Sequence, residues 1–195
     1  MSLYVALLHH PVRDRGGEII TTAVTNLDVH DIARTARTYD AAGYFVVTPI
    51  AAQRELVERI LAHWREGPGA RRVPERSVAL AACEPLACLD DAVARVRARE
   101  GAAPALWATA ARPVPGRTPL PFAAAAEALG ERPTLILFGT GHGLAPEVIE
   151  RADALLPPVR GGASYNHLSV RAAVAVVLDR LRGERRAAPG AAGRL

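Results

Sequence analysis

The segment LPPVRGGASYNHLSVRAAVAVVLDRL, residues 156–181, decides the fold. Pro157 and Pro158 stiffen its start, Gly161 and Gly162 free the backbone behind them, and Ser164, Tyr165 and Asn166 lead into an apolar run. A loop of that make-up can thread main-chain donors and acceptors around a ligand. Val170, Ala173, Val174, Val177, Leu178 and Leu181 then recur at helical spacing, which predicts a helix over 166–182. Ala172, Ala175 and Val176 make its other side nearly apolar too, and a helix apolar on two sides needs burial on two sides. Asn166 suits the N-cap of that helix as well as it suits a ligand-binding loop.

Upstream, short apolar strands alternate with helical periodicity. The pattern predicts strands at 3–9, 43–48, 77–82, 104–109, 133–138 and 153–156, with helices at 28–40, 51–65, 88–100, 120–129 and 146–151 before the last one. Such alternation defines an α/β protein with a mostly parallel six-stranded sheet flanked by helices. Residues 1–182 read as one domain, and 183–195, rich in Gly, Pro and Ala without apolar period, as a flexible tail. The segments 10–24, 67–76 and 111–118 carry Gly, Pro and Arg and read as mobile loops.

Composition narrows the classes. A chain of 195 residues, 50% apolar, can bury one sizeable core. It has no apolar run of membrane-spanning length and no basic segment leading into an apolar stretch and cleavage site, so a soluble cytoplasmic protein with no membrane partner is expected. Cys83 and Cys88 cannot make a four-ligand zinc site by themselves and read as two buried thiols, with no metal expected. All 24 basic residues are arginine, and the net charge is +4. That leaves an excess of rigid guanidinium forks matched to phosphate, with clusters at Arg13 and Arg15, at Arg71, Arg72 and Arg76, and at Arg112 and Arg117.

Two further segments carry chemistry. In LFGTGHGL, residues 137–144, a buried strand ends in three alternating glycines, where a ligand can approach main-chain atoms closely. It is not a dinucleotide fingerprint, because Leu144 stands where the third glycine belongs and a Gly/Pro loop replaces the acidic ribose ligand further on. In TNLDVHDIARTA, residues 25–36, Val29, Ile32, Ala33 and Ala36 should face the sheet and turn His30, Asp31, Arg34 and Arg37 outward. Asn26 or Asp28 suits the cap of that helix.

Together the three segments closely resemble the α/β-knot, or SPOUT, superfamily of S-adenosylmethionine-dependent RNA methyltransferases, and in motifs its ribose 2′-O-methyltransferase branch. The resemblance implies a C-terminal trefoil knot forming the cofactor site, an obligate homodimer, and tRNA or rRNA as substrate. It implies that three loops hold the cofactor: one near Thr109, one at Phe138, Gly139, Thr140, Gly141 and Gly143, and one at Leu156, Pro158, Gly161, Ser164, Tyr165, Asn166 and Leu168. Leu156 to Pro158 look like the family's adenine-clasping stretch, and Arg34 falls on the arginine that serves phosphate binding and catalysis, with Asn26 as the asparagine before it. Three departures stand out: Asp28 replaces a usual glycine, the glycine loop, which usually contains a glutamate, is one residue shorter with His142 in the neighbourhood, and one extra residue follows Asn166.

The expected chemistry is in-line methyl transfer, in which the protein supplies alignment and a route for the nucleophile's proton. Arginine is a poor base, so Arg34 is expected to clamp phosphate, with deprotonation shared by that phosphate, His30, Asp31 or a partner-subunit group. Methylation of a guanine nitrogen is the alternative and would favour Asp28 or Asp31 as base. A knotted RNA-binding module without transfer is the non-enzymatic alternative.

Overall fold

A computed structural model describes residues 2–162 and 165–183. Six parallel strands form one sheet: β1 (Leu3–Leu8), β4 (Gly43–Val47), β5 (Cys83–Leu86), β6 (Ala105–Ala108), β7 (Thr134–Gly139) and β8 (Ala154–Leu155). Their order is β5-β4-β1-β7-β6-β8, so the chain grows outward from β1 in one direction and then crosses to the other side. β1 sits centrally, with Tyr4–Leu8 beside Gly43–Val47 and Leu3–Leu8 beside Thr134–Gly139.

Every residue of β1 is buried, as a parallel sheet covered on both faces requires. Leu3, Val5 and Leu7 point into one core layer and Tyr4, Ala6 and Leu8 into the other, following the two-residue period of a strand. The first layer is closed by α1 (Asn26–Thr38), α2 (Ala51–Arg65), α6 (Phe122–Ala128) and α8 (Val170–Arg182). The second is closed by α5 (Leu89–Glu100) and α7 (Pro146–Arg151). The expected six-stranded α/β architecture is therefore present.

Several local expectations need correction. Residues 77–82 are not a strand. Pro74 at the first helical position and Glu75 in the first turn start a helix, α4 (Pro74–Leu80), and the strand begins only at Cys83. The run SVAL is too short for periodicity to separate the two states. Arg65 fixes the junction by donating to the carbonyls of Leu80, Ala81 and Cys83 at 3.2, 3.1 and 2.6 Å. The segment read as a loop at 67–76 thus holds α3 (Pro68–Arg72) and the start of α4. Segment 10–24 contains an antiparallel hairpin, β2 (Val12–Arg13) and β3 (Ile19–Ile20), while 111–118 is irregular.

Neither Asn26 nor Asp28 caps α1. Thr25 does, its hydroxyl accepting from the Asp28 amide at 3.2 Å, and Asn26 is the first helical residue. Helix α8 begins at Val170 under a Ser169 cap, four residues later than expected, which frees Asn166 from capping. Cys83 is buried, whereas Cys88 is exposed at the start of α5. The tail expected at 183–195 lies outside the described residues beyond Gly183.

Candidate functional site

Ligand sites of open α/β sheets lie beyond the carboxyl ends of the strands. Here β1, β7 and β6 end side by side, and the chain that follows each is tied to its neighbours. His9, immediately after β1, is completely buried, with Nδ1 3.1 Å from the Thr22 hydroxyl. Thr22 meets the Thr140 hydroxyl at 2.5 Å, and Thr140 donates to the Leu8 carbonyl at 3.2 Å. The β2–β3 hairpin thereby becomes a wall of the glycine loop. The Arg13 amide donates to the Gly143 carbonyl at 2.9 Å, and the His142 amide to the Arg13 carbonyl at 2.8 Å. Burial holds the His9 imidazole down to about 4, against the smaller opposing pull of Asp28. Its Nε2 has no hydrogen-bond partner among the described residues.

The three glycines of this loop answer to different demands. A Cβ on Gly139 would lie 2.6 Å from the Leu144 nitrogen, and one on Gly141 2.7 Å from the Arg13 carbonyl oxygen, so both are required by the chain's own packing. Gly141 and Gly143 also hold left-handed φ of +57° and +107°. Only at Gly143 would a Cβ meet nothing within 4 Å, and this is the position open to a ligand.

The other two loops close on the same place. The Thr109 amide and hydroxyl both donate to the Leu137 carbonyl, at 3.1 and 2.9 Å. The Leu156 amide donates to the Ala108 carbonyl at 2.9 Å, tying the segment after β8 to the end of β6. Asn166 donates its side-chain amide to the Ala111 carbonyl at 3.0 Å, stitching the segment before α8 to the loop after β6. Between these loops and the hairpin lies a cavity of about 510 Å³ lined by Arg15, Arg112, His142 and His167.

Other expected cofactor residues are placed unevenly. Phe138 is buried in the core. Pro158 is half-buried, and Gly161 lies in open space. Tyr165 and Leu168 are exposed, the Tyr165 ring 5.2 Å from that of His167. Ser164 lies outside the described residues.

The outward face of α1 is divided. Asp31 does not pair with Arg34. It meets Arg171 Nε at 3.3 Å, while Arg171 also donates to Asp28 at 3.1 Å, so one guanidinium of α8 joins two carboxylates of α1. Asp28 is buried and also accepts from the Thr25 hydroxyl at 2.6 Å. His30 packs edge-on against Trp64, whose ring is covered by Arg76, and burial followed by the Arg76 charge lowers its pKa. Arg34 and Asn26 are exposed. None of the α1 candidates lines the cavity.

Arg171, His9 and Thr22 were not singled out from sequence, whereas Arg15 and Arg112 each stood in one of the arginine clusters. Arg171 carried a signal, being the one charge among the first seven residues of an apolar helix. His9 carried another, a polar residue ending a buried strand. A larger hollow of about 650 Å³ lies between α2 and Pro85. It stands at the β5 edge of the sheet, away from the converging loops, and its charged residues Arg54, Glu55, Glu58 and Arg59 are of both signs. Among the described residues no cluster of His, Cys, Asp and Glu could hold a metal, and no helix is long and apolar enough to cross a membrane.

A family of SAM-dependent RNA methyltransferases matches residues 2–183, and the chain belongs to that family. A tRNA (guanine-N(1)-)-methyltransferase of Oleidesulfovibrio alaskensis is 42% identical over 183 residues, which cover 94% of this chain and 42% of that protein. The chain thus spans about two fifths of that relative's length. A protein of Aquifex aeolicus is 38% identical over 180 residues, 92% of this chain and 88% of its own length. In fold, the chain resembles the SpoU methyltransferase AviRb from Streptomyces viridochromogenes in complex with the cofactor AdoMet, with a TM-score of 0.54, 19% identity and coverage of 92% of this chain and 56% of that one.

The residues present fit such a cofactor. The cavity volume falls in the range of about 300–1,000 Å³ usual for small-molecule sites. Gly143, next to the lining residue His142, has open space where a side chain would stand and so leaves its main chain approachable.

Proposed function

We propose that this chain transfers a methyl group from S-adenosylmethionine to the ribose 2′-oxygen of a tRNA or rRNA nucleotide, acting as a homodimer. The observation that carries the reading is the closure of three loops and a hairpin around one cavity at the strand ends, with Gly143 bare beside it. The segment after β8 supports a knot: it leaves the sheet edge beside β6, yet α8 packs against α1, α6 and β7, and Asn166 donates to the Ala111 carbonyl in the loop after β6. The cofactor, when bound, supplies a methyl group on a sulfonium, already a good leaving group. Leu156, Asn166 and the glycine loop would orient it.

The division of α1 bears on the proton. Asp28 and Asp31 hold Arg171, which makes neither a free base. His30, its pKa lowered by burial, is neutral near pH 7 and can accept a proton, while exposed Arg34 grips the target phosphate. Because neither lines this chain's cavity, the reading places them opposite the cavity of a second copy. The exposed Leu27 (59%), on the first turn of α1, and Leu168 (48%), just before α8, offer apolar surface for that contact.

A guanine nitrogen is the second reading, favoured by the name of the Oleidesulfovibrio alaskensis relative. That name belongs to a protein more than twice as long, so the methylated atom does not transfer with the similarity. Incubation with labelled S-adenosylmethionine and RNA lacking the modification, followed by mass spectrometry of nucleosides, separates the two. A 2′-O-methylnucleoside is expected, and a methylguanine would replace it as the product. S-adenosylhomocysteine is expected to stabilise the fold by about 2.7 kcal/mol at a hundred times its Kd. Absence of any thermal shift at saturating ligand, with no methyl incorporated, would leave an RNA-binding module.

A further inference from the structure

We infer that the cavity mouth is an anion cradle built for the RNA backbone, with Arg15 and Arg112 as the residues that grip a phosphate beside the target nucleotide; this rests on the methyltransferase reading and adds the binding residues it lacks. The four lining residues come from four separate stretches. Arg15 stands in the β2–β3 hairpin, Arg112 in the loop after β6, His142 in the glycine loop and His167 before α8. Chain elements distant in sequence have thus brought two permanent cations and two imidazoles to one opening.

Much of the arginine population is held elsewhere, and what marks these two among the unpaired remainder, which includes Arg34, is that they share one cavity mouth. Arg95 and Arg99 are held by Glu84, Arg151 by Asp90 and Arg171 by Asp28 and Asp31. Arg54, Arg65, Arg117 and Arg182 donate to backbone carbonyls. Arg15 and Arg112 are exposed and have no such partner among the described residues. The hairpin's own carboxylates, Asp14 and Glu18, form no ion pair with Arg15 among the described residues, and Asp14 accepts from the Glu18 amide at 2.9 Å. Two unpaired guanidinium forks at a concave mouth attract a bidentate oxyanion.

Two oxyanions could come there: an RNA phosphate and the carboxylate at the amino-acid end of the cofactor. The observations favour the phosphate. All four lining side chains are exposed at the rim, where a polymer passes, and Tyr165, 76% exposed and against His167, offers a ring face for an adjacent base.

The test measures binding of a fluorescein-labelled, mixed-sequence single-stranded RNA across a salt series, and of S-adenosylhomocysteine by calorimetry. It compares wild type, Arg15→Ala, Arg112→Ala, the double variant and Arg95→Ala as a control of equal charge loss at the β5 edge. Each single variant is expected to make the slope of log affinity against log salt shallower by about 0.7, and the double variant to lose RNA affinity at least about tenfold. S-adenosylhomocysteine affinity should stay within about twofold, which also reports an intact fold. If the double variant binds RNA no worse than Arg95→Ala, the cradle is not a phosphate site. Loss of S-adenosylhomocysteine with RNA binding kept would assign the arginines to the cofactor and overturn the inference. A wild type that binds RNA through these arginines yet binds no S-adenosylhomocysteine would uphold the cradle and sink the methyltransferase reading instead.

Discussion

Single side chains on α1 and α8 separate structural from chemical work. Arg34 is exposed and no described side chain holds it, so Arg34→Ala should change stability by no more than about 0.5 kcal/mol. As a phosphate clamp it should nonetheless cut single-turnover methylation at least about a hundredfold, near 2.7 kcal/mol, while cofactor affinity stays near wild type. Normal turnover by that variant on its mapped RNA would remove Arg34 from the site. Arg171 behaves oppositely. Its loss leaves the buried Asp28 carboxylate with only the Thr25 hydroxyl, so Arg171→Ala is expected to cost about 1–3 kcal/mol in urea unfolding. Asp31→Ala removes the more exposed half of the same network and should cost less than about 1 kcal/mol. Equal costs for the two would mean that Asp28 draws no support from Arg171.

At the level of elements, α8 and the β2–β3 hairpin carry the most. Val174, Val177, Leu178 and Leu181 face the core of this chain, which accounts for one side of the apolar helix. Ala172, Ala173, Ala175 and Val176 remain half-buried. If a second copy covers that side, Val176→Arg places an unpaired charge in an interface and should give monomers or insoluble protein in sedimentation velocity. An unchanged sedimentation coefficient in a dimeric background would move the interface elsewhere. The hairpin shows why a stretch rich in Gly, Pro and Arg need not be loose. Its main chain pairs with the Gly143 carbonyl and the His142 amide, so order comes from a partner 130 positions away that no local pattern reports.

For the molecule as a whole, pH response follows from where the buried histidine sits. His9 titrates near 6.5 in an unfolded chain and near 4 here, so between those values the unfolded state binds more protons. Its contribution is therefore complete above about pH 6.5 and is lost as pH falls toward 4, with a limiting slope of about 1.4 kcal/mol per pH unit. The difference between wild type and His9→Gln across that window should show this slope, since other titrations cancel; parallel curves would place His9 in water. Much of the molecule was legible without coordinates. Strand composition fixed a parallel sheet buried on both faces, since runs such as LYVALL have no polar side to show to water, and the glycine triplet and the segment 156–181 marked two walls of the site. The helix at 74–80 was misread because a four-residue apolar run fits either period, and the caps fell on Thr25 and Ser169 because several residues nearby could serve equally. What local pattern could not give was partnership across the fold. Asp31 chose Arg171 over Arg34, Gly141 was claimed by the Arg13 carbonyl before any ligand, and Arg15 came to face Arg112, because these pairings are set by how the sheet order folds distant loops onto one edge. Charge, period and glycine content are properties of neighbours in sequence, whereas which cation stays unpaired at a cavity is decided only when every carboxylate has found its place.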